Sequence, residues 1–238
     1  MKRATMNQTR VLALLKENRN ERGIANWKKG GHGDGGLKSF GIGLTILRKL
    51  AKQVGRDHTL ALSLWQTDIY DAKVLGLLID DPKRLTREQA EEQVEHLKDG
   101  MLAHVFSSCD ATLAKAPIAF ELACDWIESR DKMRRSCGWG LLYELSKKNL
   151  EGMDEAFLMG CIDRVGRESG GEPTWVRMAM ANALIGIGKR NKELNRAAVQ
   201  VAKQVGPIDF SDGSGRKCDP FDPLKHLTSE HLKKKFAG

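Results

Sequence analysis

A chain of 238 residues with 41% apolar side chains can bury a sizeable core, as one large domain or a short repeat array. Aromatics make up only 6% while Ala and Leu dominate, which favours helices packed on helices. The 39 Lys and Arg against 31 Asp and Glu give a formal net charge of +8, which leans toward nucleic acid or another polyanion. With no apolar run long enough to cross a bilayer and no signal-peptide pattern in MKRATMNQTR, a cytoplasmic protein without a membrane partner is expected.

Met6 to Lys16 reads as a first helix. Asn20 to Leu37, NERGIANWKKGGHGDGGL, reads as a loop rich in glycine and charge. Ser39 is placed to cap a helix through Val54, Asp57 to cap HTLALSLWQT, and Asp68 to open a helix through Leu78. Thr86 with Gln89 forms a capping-box pattern for a helix through Leu97. Met101 to Leu113 follows, then a helix with Pro117 in its first turn and Trp126 inside it. Ser129 to Lys148, Met153 to Arg167, a helix opened by Pro173, and Lys192 to Gly206 complete the series. No segment alternates as a half-buried strand must. The fold class expected is all-α. Residues 1–206 form a helical repeat domain, and 207–238 an irregular C-terminal cap of the same domain, ending in Lys233-Lys234-Lys235. Pairs of about 30–45 residues fit degenerate repeats.

The segment from Trp175 to Asn191 carries most information. Trp175, Ala179, Ala183 and Leu184 share one helical face, Gly186 and Gly188 let a neighbour approach closely, and Lys189-Arg190-Asn191 ends the helix. Those cations either pair with the helix dipole or deliver charge to a polyanion. Cations also cluster elsewhere: Lys28, Lys29, Lys38, Arg48, Lys49, Lys52 and Arg56 face one acid, Asp34, and Arg177, Lys189, Arg190, Lys192, Arg196 and Lys203 face only Glu193. Acids gather between Asp80 and Glu95. The residues expected to bind DNA phosphates are Lys28, Lys29, Lys38, Arg48, Arg134, Arg135, Arg177, Lys189, Arg190 and Lys192.

Cys109, Cys124, Cys137, Cys161 and Cys218 form no CxxC pair, and four of them lie in apolar stretches read as helical. Cys218 with His226 and His231 is the only metal-like grouping, and its spacing matches no known site, so no metal is expected. Lys28 to Gly36 lacks the Lys-Ser/Thr of a phosphate-binding loop, so no nucleotide cofactor, and no other cofactor, is expected.

Taken together, NWKKGGHG, SFGIGLTILRKLAK, ALSLWQTDIYDAKVLGLLIDDP, APIAFELACDWIESRDKMRRSCGWGLL and WVRMAMANALIGIGKRN resemble the DNA alkylation repair family of HEAT-like proteins, over about Asn26 to Gly206. The resemblance implies an α-α superhelix, a solenoid of degenerate HEAT-like helix pairs whose concave basic face holds duplex DNA. Founding members are glycosylases that release N3- and N7-alkylated purines while the lesion stays stacked. Their chemistry rests on a Trp, a carboxylate four residues later, an Arg and a second Trp. Those positions correspond here to Leu102, to Phe106 beside Ser107 and Ser108, to Arg135 or Ser136, and to Asn182. The resemblance therefore implies a divergent member that lacks the usual catalytic residues. It is read as a monomer gripping duplex, damaged or branched DNA, with catalysis left open. The alternatives are a glycosylase with a rearranged centre, drawing on Asp110, Asp125 or Glu128 with Trp126, Trp139 or Trp175, and a protein-interaction scaffold using the acidic stretch.

Overall fold

The computed structural model describes residues 6–30, 36–98, 100–209 and 219–237. Among these residues the chain forms fourteen α-helices and no strand. Extended pairing is limited to two isolated bridges, Lys38 with Ile69 and Ile208 with Phe221. The residues divide into two compact units.

The first unit takes the described residues up to 106 and 110–118. Its helices are α1 (Gln8–Glu17), α2 (Glu21–Gly30), α3 (Leu44–Val54), α4 (His58–Trp65), α5 (Tyr70–Ile79), α6 (Arg87–Glu95) and α7 (Met101–Ser107). Side chains satisfy the first free N–H groups, as Asn7 does for Arg10 and Asp57 for Leu60, each at 3.0 Å. Thr86 caps α6 through Gln89 N at 3.2 Å, but the Gln89 amide donates to Asp80 at 2.8 Å instead of closing a reciprocal box.

Helix α2 replaces the first half of the expected loop. Gly23 is needed there for close approach, since a Cβ would fall 2.1 Å from the Gly41 carbonyl oxygen. Trp27, on the same helix, sets its ring 4.6 Å from Tyr70 and donates its indole N–H to Leu37 O. Glycine and charge mark a loop only where no apolar face accompanies them, and Ile24 with Trp27 supplies that face. Residues 31–35 of the glycine-rich stretch lie outside the described residues.

Ser39 does not cap α3, which begins at Leu44 behind Gly43. It donates to Asp71, a fully buried carboxylate at the start of α5. Asp71 also accepts from Phe40 N at 2.7 Å and Ile42 N at 2.9 Å, strapping the 39–42 segment to α5. Asp68 pairs outward with Lys38, and Ile69 takes the cap position. Helix α7 stops short of Leu113. Cys109 and Asp110 turn the backbone into the left-handed region, with φ of 57° and 68°. Cys109 thus lies outside any helix.

The second unit takes 107–109 and the described residues after 118. It contains α8 (Ala119–Ile127), α9 (Lys132–Leu145), α10 (Glu155–Glu168), α11 (Thr174–Gly188), α12 (Lys192–Val205), α13 (Pro223–Leu227) and α14 (Glu230–Ala237). Helix α8 packs on α9 and α11 on α12; alternate helices also stack, α9 on α11 and α10 on α12. Stacking of every second helix on its equivalent in the next pair is the mark of a repeat array. The small residues of α11 allow close contacts, Gly186 with the end of α9 and Gly188 with α12 and α13. A Cβ on Gly186 would lie 2.3 Å from Ser146 Oγ, and one on Gly188 would lie 2.5 Å from Leu227. The tail, expected to be irregular, carries α13 and α14. Asn195 holds α13 in place, donating to Gly188 O at 3.0 Å and Leu227 O at 3.2 Å.

Candidate nucleic-acid interface

In the first unit Lys28 and Lys29 are exposed on the last turn of α2. Lys38 is exposed and bonded to Asp68 at 2.7 Å, and that carboxylate raises its pKa. Such a surface pair holds its partners weakly and gives way to salt. Arg48 projects from α3 toward Asp110 at 3.0 Å. With Lys52, Arg56 and Lys115 it lines a cavity of about 450 Å3 that includes Asp110 and Ile79. Four cations line that cavity with one carboxylate. The Lys115 ammonium donates to Asp110 O at 2.6 Å, fixing the strained turn from the far side. The sequence held a signal for part of this cluster, because Arg48, Lys52 and Arg56 recur every fourth residue. It held none for Lys115, which the short 3-10 turn Leu113–Lys115 carries.

In the second unit the expected cations divide by role. Arg135 grips Glu172 bidentately, Nε to Oε1 and Nη2 to Oε2 each at 2.7 Å, and donates to Ser129 O and Arg130 O. Arg190 donates to Ser146 O at 2.9 Å, to Lys148 O and to Asn149 Oδ1 at 3.1 Å, closing the C-terminal end of α9. Both therefore spend most of their donors inside the unit. Arg134 lies 3.8 Å from Asp131, the cap of its own helix. Arg177 is half-buried on α11, and its Nε has no hydrogen-bond partner among the described residues. Lys189 and Lys192 are exposed. Burial and the nearby Lys147 push the Lys189 ammonium below the ordinary lysine value.

The chain from residue 11 to 208 matches the family model described as DNA alkylation repair enzyme. This protein belongs to the DNA alkylation repair family. Among curated relatives, Lin0241 of Listeria innocua is 25% identical over 193 residues, spanning 80% of this chain and 83% of the relative. Lmo0209 of Listeria monocytogenes is 24% identical over the same length and shares. A solved structure from a new family of proteins related to the HEAT-like repeat DNA glycosylases, with affinity for branched DNA structures, superposes with a TM-score of 0.81. It is 23% identical, and the match covers 97% of this chain and 96% of that one. That likeness shows the fold to be a HEAT-like helical repeat.

Within this family member, Leu102 and Phe106, which the sequence resemblance sets against the first Trp and the carboxylate, are only 3% and 0% exposed. The Phe106 ring packs 6.1 Å from Trp65 in the core of the first unit. Ser107 and Ser108 are buried too, and Ser107 meets Gly140 at a distance that leaves no room for a Cβ. Asn182 is half-buried on α11. Of the substitute candidates, Trp126 and Trp139 are core residues, and Trp175 is half-buried. Glu128 pairs with Arg164, which also binds Glu168 at 2.7 Å and Ile127 O at 2.9 Å. Asp125 is exposed. Asp110 stands apart as the carboxylate inside a cation-lined cavity. Burial pushes the Cys137 and Cys161 thiols up to about 12, as expected of inert core cysteines. Among the described residues no three metal-binding side chains come together; Cys218 lies outside them. No helix among those residues is long and apolar enough to cross a membrane.

Proposed function

We propose that this protein binds duplex DNA, damaged or branched, through the phosphate backbone and releases no base. The observation that carries the binding is the cavity at the end of α3, where Arg48, Lys52, Arg56 and Lys115 crowd a single acid. Phosphates attract such clusters because each neutralised phosphate frees condensed counterions. Exposed Lys28, Lys29, Lys189 and Lys192 extend the cationic surface of their own units, whereas Arg135 and Arg190 act inside theirs. Family membership and the branched-DNA affinity of the structural neighbour support the same ligand. Phe106, where the resemblance places the carboxylate, supports the reading without excision. A fully buried phenyl ring cannot stabilise a sugar cation, and a carboxylate could replace it only at the cost of desolvation.

Fluorescence anisotropy on a labelled duplex tests the binding. Affinity is expected to fall steeply between about 50 and 200 mM salt. Lys52→Glu with Arg56→Glu is expected to weaken binding about tenfold or more and to lower the salt slope by about two, with helical circular dichroism unchanged. Salt-insensitive binding, or an unaltered slope in the variant, overturns the assignment. One observation favours a second reading, a glycosylase with a rearranged centre: Asp110 is held in left-handed backbone inside that cavity, where strain accompanies function in other proteins.

A further inference from the structure

Lys189 stands where two clefts of the second unit meet. One, of about 460 Å3, is walled by Tyr143, Lys147, Arg190 and Lys235. The other, of about 560 Å3, is walled by Met178, Phe221, His226 and Leu232. Lys189 lines both. Phe221, His226, Leu232 and Lys235 all follow residue 208, the last residue matched to the family model, so most of the second wall, but only Lys235 of the first, is built outside the family core.

The first cleft faces the C-terminal ends of α9 and α11, whose carbonyl oxygens ordinarily repel anions. Here those oxygens are covered. Arg190 takes Ser146 O and Lys148 O, and the Lys235 ammonium donates to Lys189 O at 2.6 Å. Lys147 shares Glu144 at 2.9 Å and lies 4.0 Å from the centre of the Tyr143 ring. The Lys189 ammonium differs from these. No acceptor among the described residues meets it, and Lys147 with partial burial disfavours its charge. An incoming anion would relieve both penalties. The second cleft offers two mutually tilted aromatic rings beside Asp219 and Asp222. The Phe221 and His226 rings lie 5.6 Å apart at 36°, and reciprocal backbone bonds with Ile208, each 2.9 Å, fix Phe221. Aromatic faces of this kind stack single bases with little regard to sequence.

We propose that the two clefts together hold one unstacked nucleotide of a single-stranded DNA segment, its phosphate on Lys189 and its base against Phe221 and His226. This rests on the DNA-binding reading, which it deepens by naming the part of the strand that the second unit takes.

The test uses the full chain and three probes: thymidine 5′-monophosphate, thymidine, and a duplex with or without a single-stranded thymidine arm. Calorimetry is expected to show the monophosphate binding at least tenfold tighter than thymidine. Anisotropy is expected to show the armed duplex binding more tightly than the blunt one. Lys189→Gln should remove both preferences, Phe221→Leu should weaken the monophosphate, and Lys83→Gln, an exposed change in the first unit, should leave all affinities as they were. No saturable monophosphate binding, or equal losses on blunt and armed duplex in Lys189→Gln, overturns the cleft. If the blunt duplex binds while the arm adds nothing, the cleft fails alone. If neither duplex binds while the monophosphate does, the DNA-binding reading fails.

Discussion

Single side chains in this protein are often committed to distant backbone. Asp71 is the strongest case. It sits without solvent at the start of α5 and accepts from one hydroxyl and two backbone N–H groups of the 39–42 segment. Removing the carboxylate leaves buried donors without an acceptor, which costs more than the lost bonds themselves contribute. Asp71→Ala is expected to lower unfolding free energy by about 2–4 kcal/mol in urea titration. Asp71→Asn keeps one acceptor oxygen and should lose roughly half as much. Equal stability of wild type and Asp71→Ala would show that the strap is unimportant. Arg135 and Arg190 follow the same logic with opposite charge. Their guanidinium groups fix loops and helix ends, so their positive charge says little about the ligand.

Elements join where glycines remove a side chain. On α11, Gly186 faces Tyr143 of α9 and its cap residue Ser146 at a spacing no Cβ tolerates. Gly160 on α10 is exposed, and a Cβ there would meet nothing within 4 Å. The two helical glycines should therefore respond oppositely to alanine. Gly186→Ala is expected to destabilise by about 1–3 kcal/mol through overpacking. Gly160→Ala is expected to stabilise by about 0.5–1 kcal/mol through reduced chain entropy and better helix propensity. Thermal or urea unfolding of the pair decides the matter, and loss of stability in both would argue that propensity estimates fail in this scaffold. The spacing within TWVRMAMANALIGIGKRN already implied a close neighbour. Helix α2 was less legible: Gly23 and the run of charge hid a short amphipathic face that only Tyr70 and Gly41 complete.

For the molecule as a whole, the formal net charge of +8 is modest, and its segregation along the chain says more than its size. That segregation is consistent with a phosphate-binding protein. Release of 7-methylguanine from alkylated duplex is expected to remain at background, and Asp110→Asn should not change it. Enzyme-like release that Asp110→Asn abolishes would establish a rearranged centre in its place.

The sequence by itself determined the helical class, the Asp57 and Thr86 caps, the close approach at Gly186 and the family, because each depends on residues a few positions apart or on a pattern spread along the chain. Only the tertiary structure decided which cations face solvent. Arg135 meets Glu172 across 37 residues, Arg190 meets Ser146 across 44, and Lys235 meets Lys189 across 46. A guanidinium carries the same charge whether it binds a carbonyl or a phosphate, so its role is fixed by the acceptor that folding brings within reach.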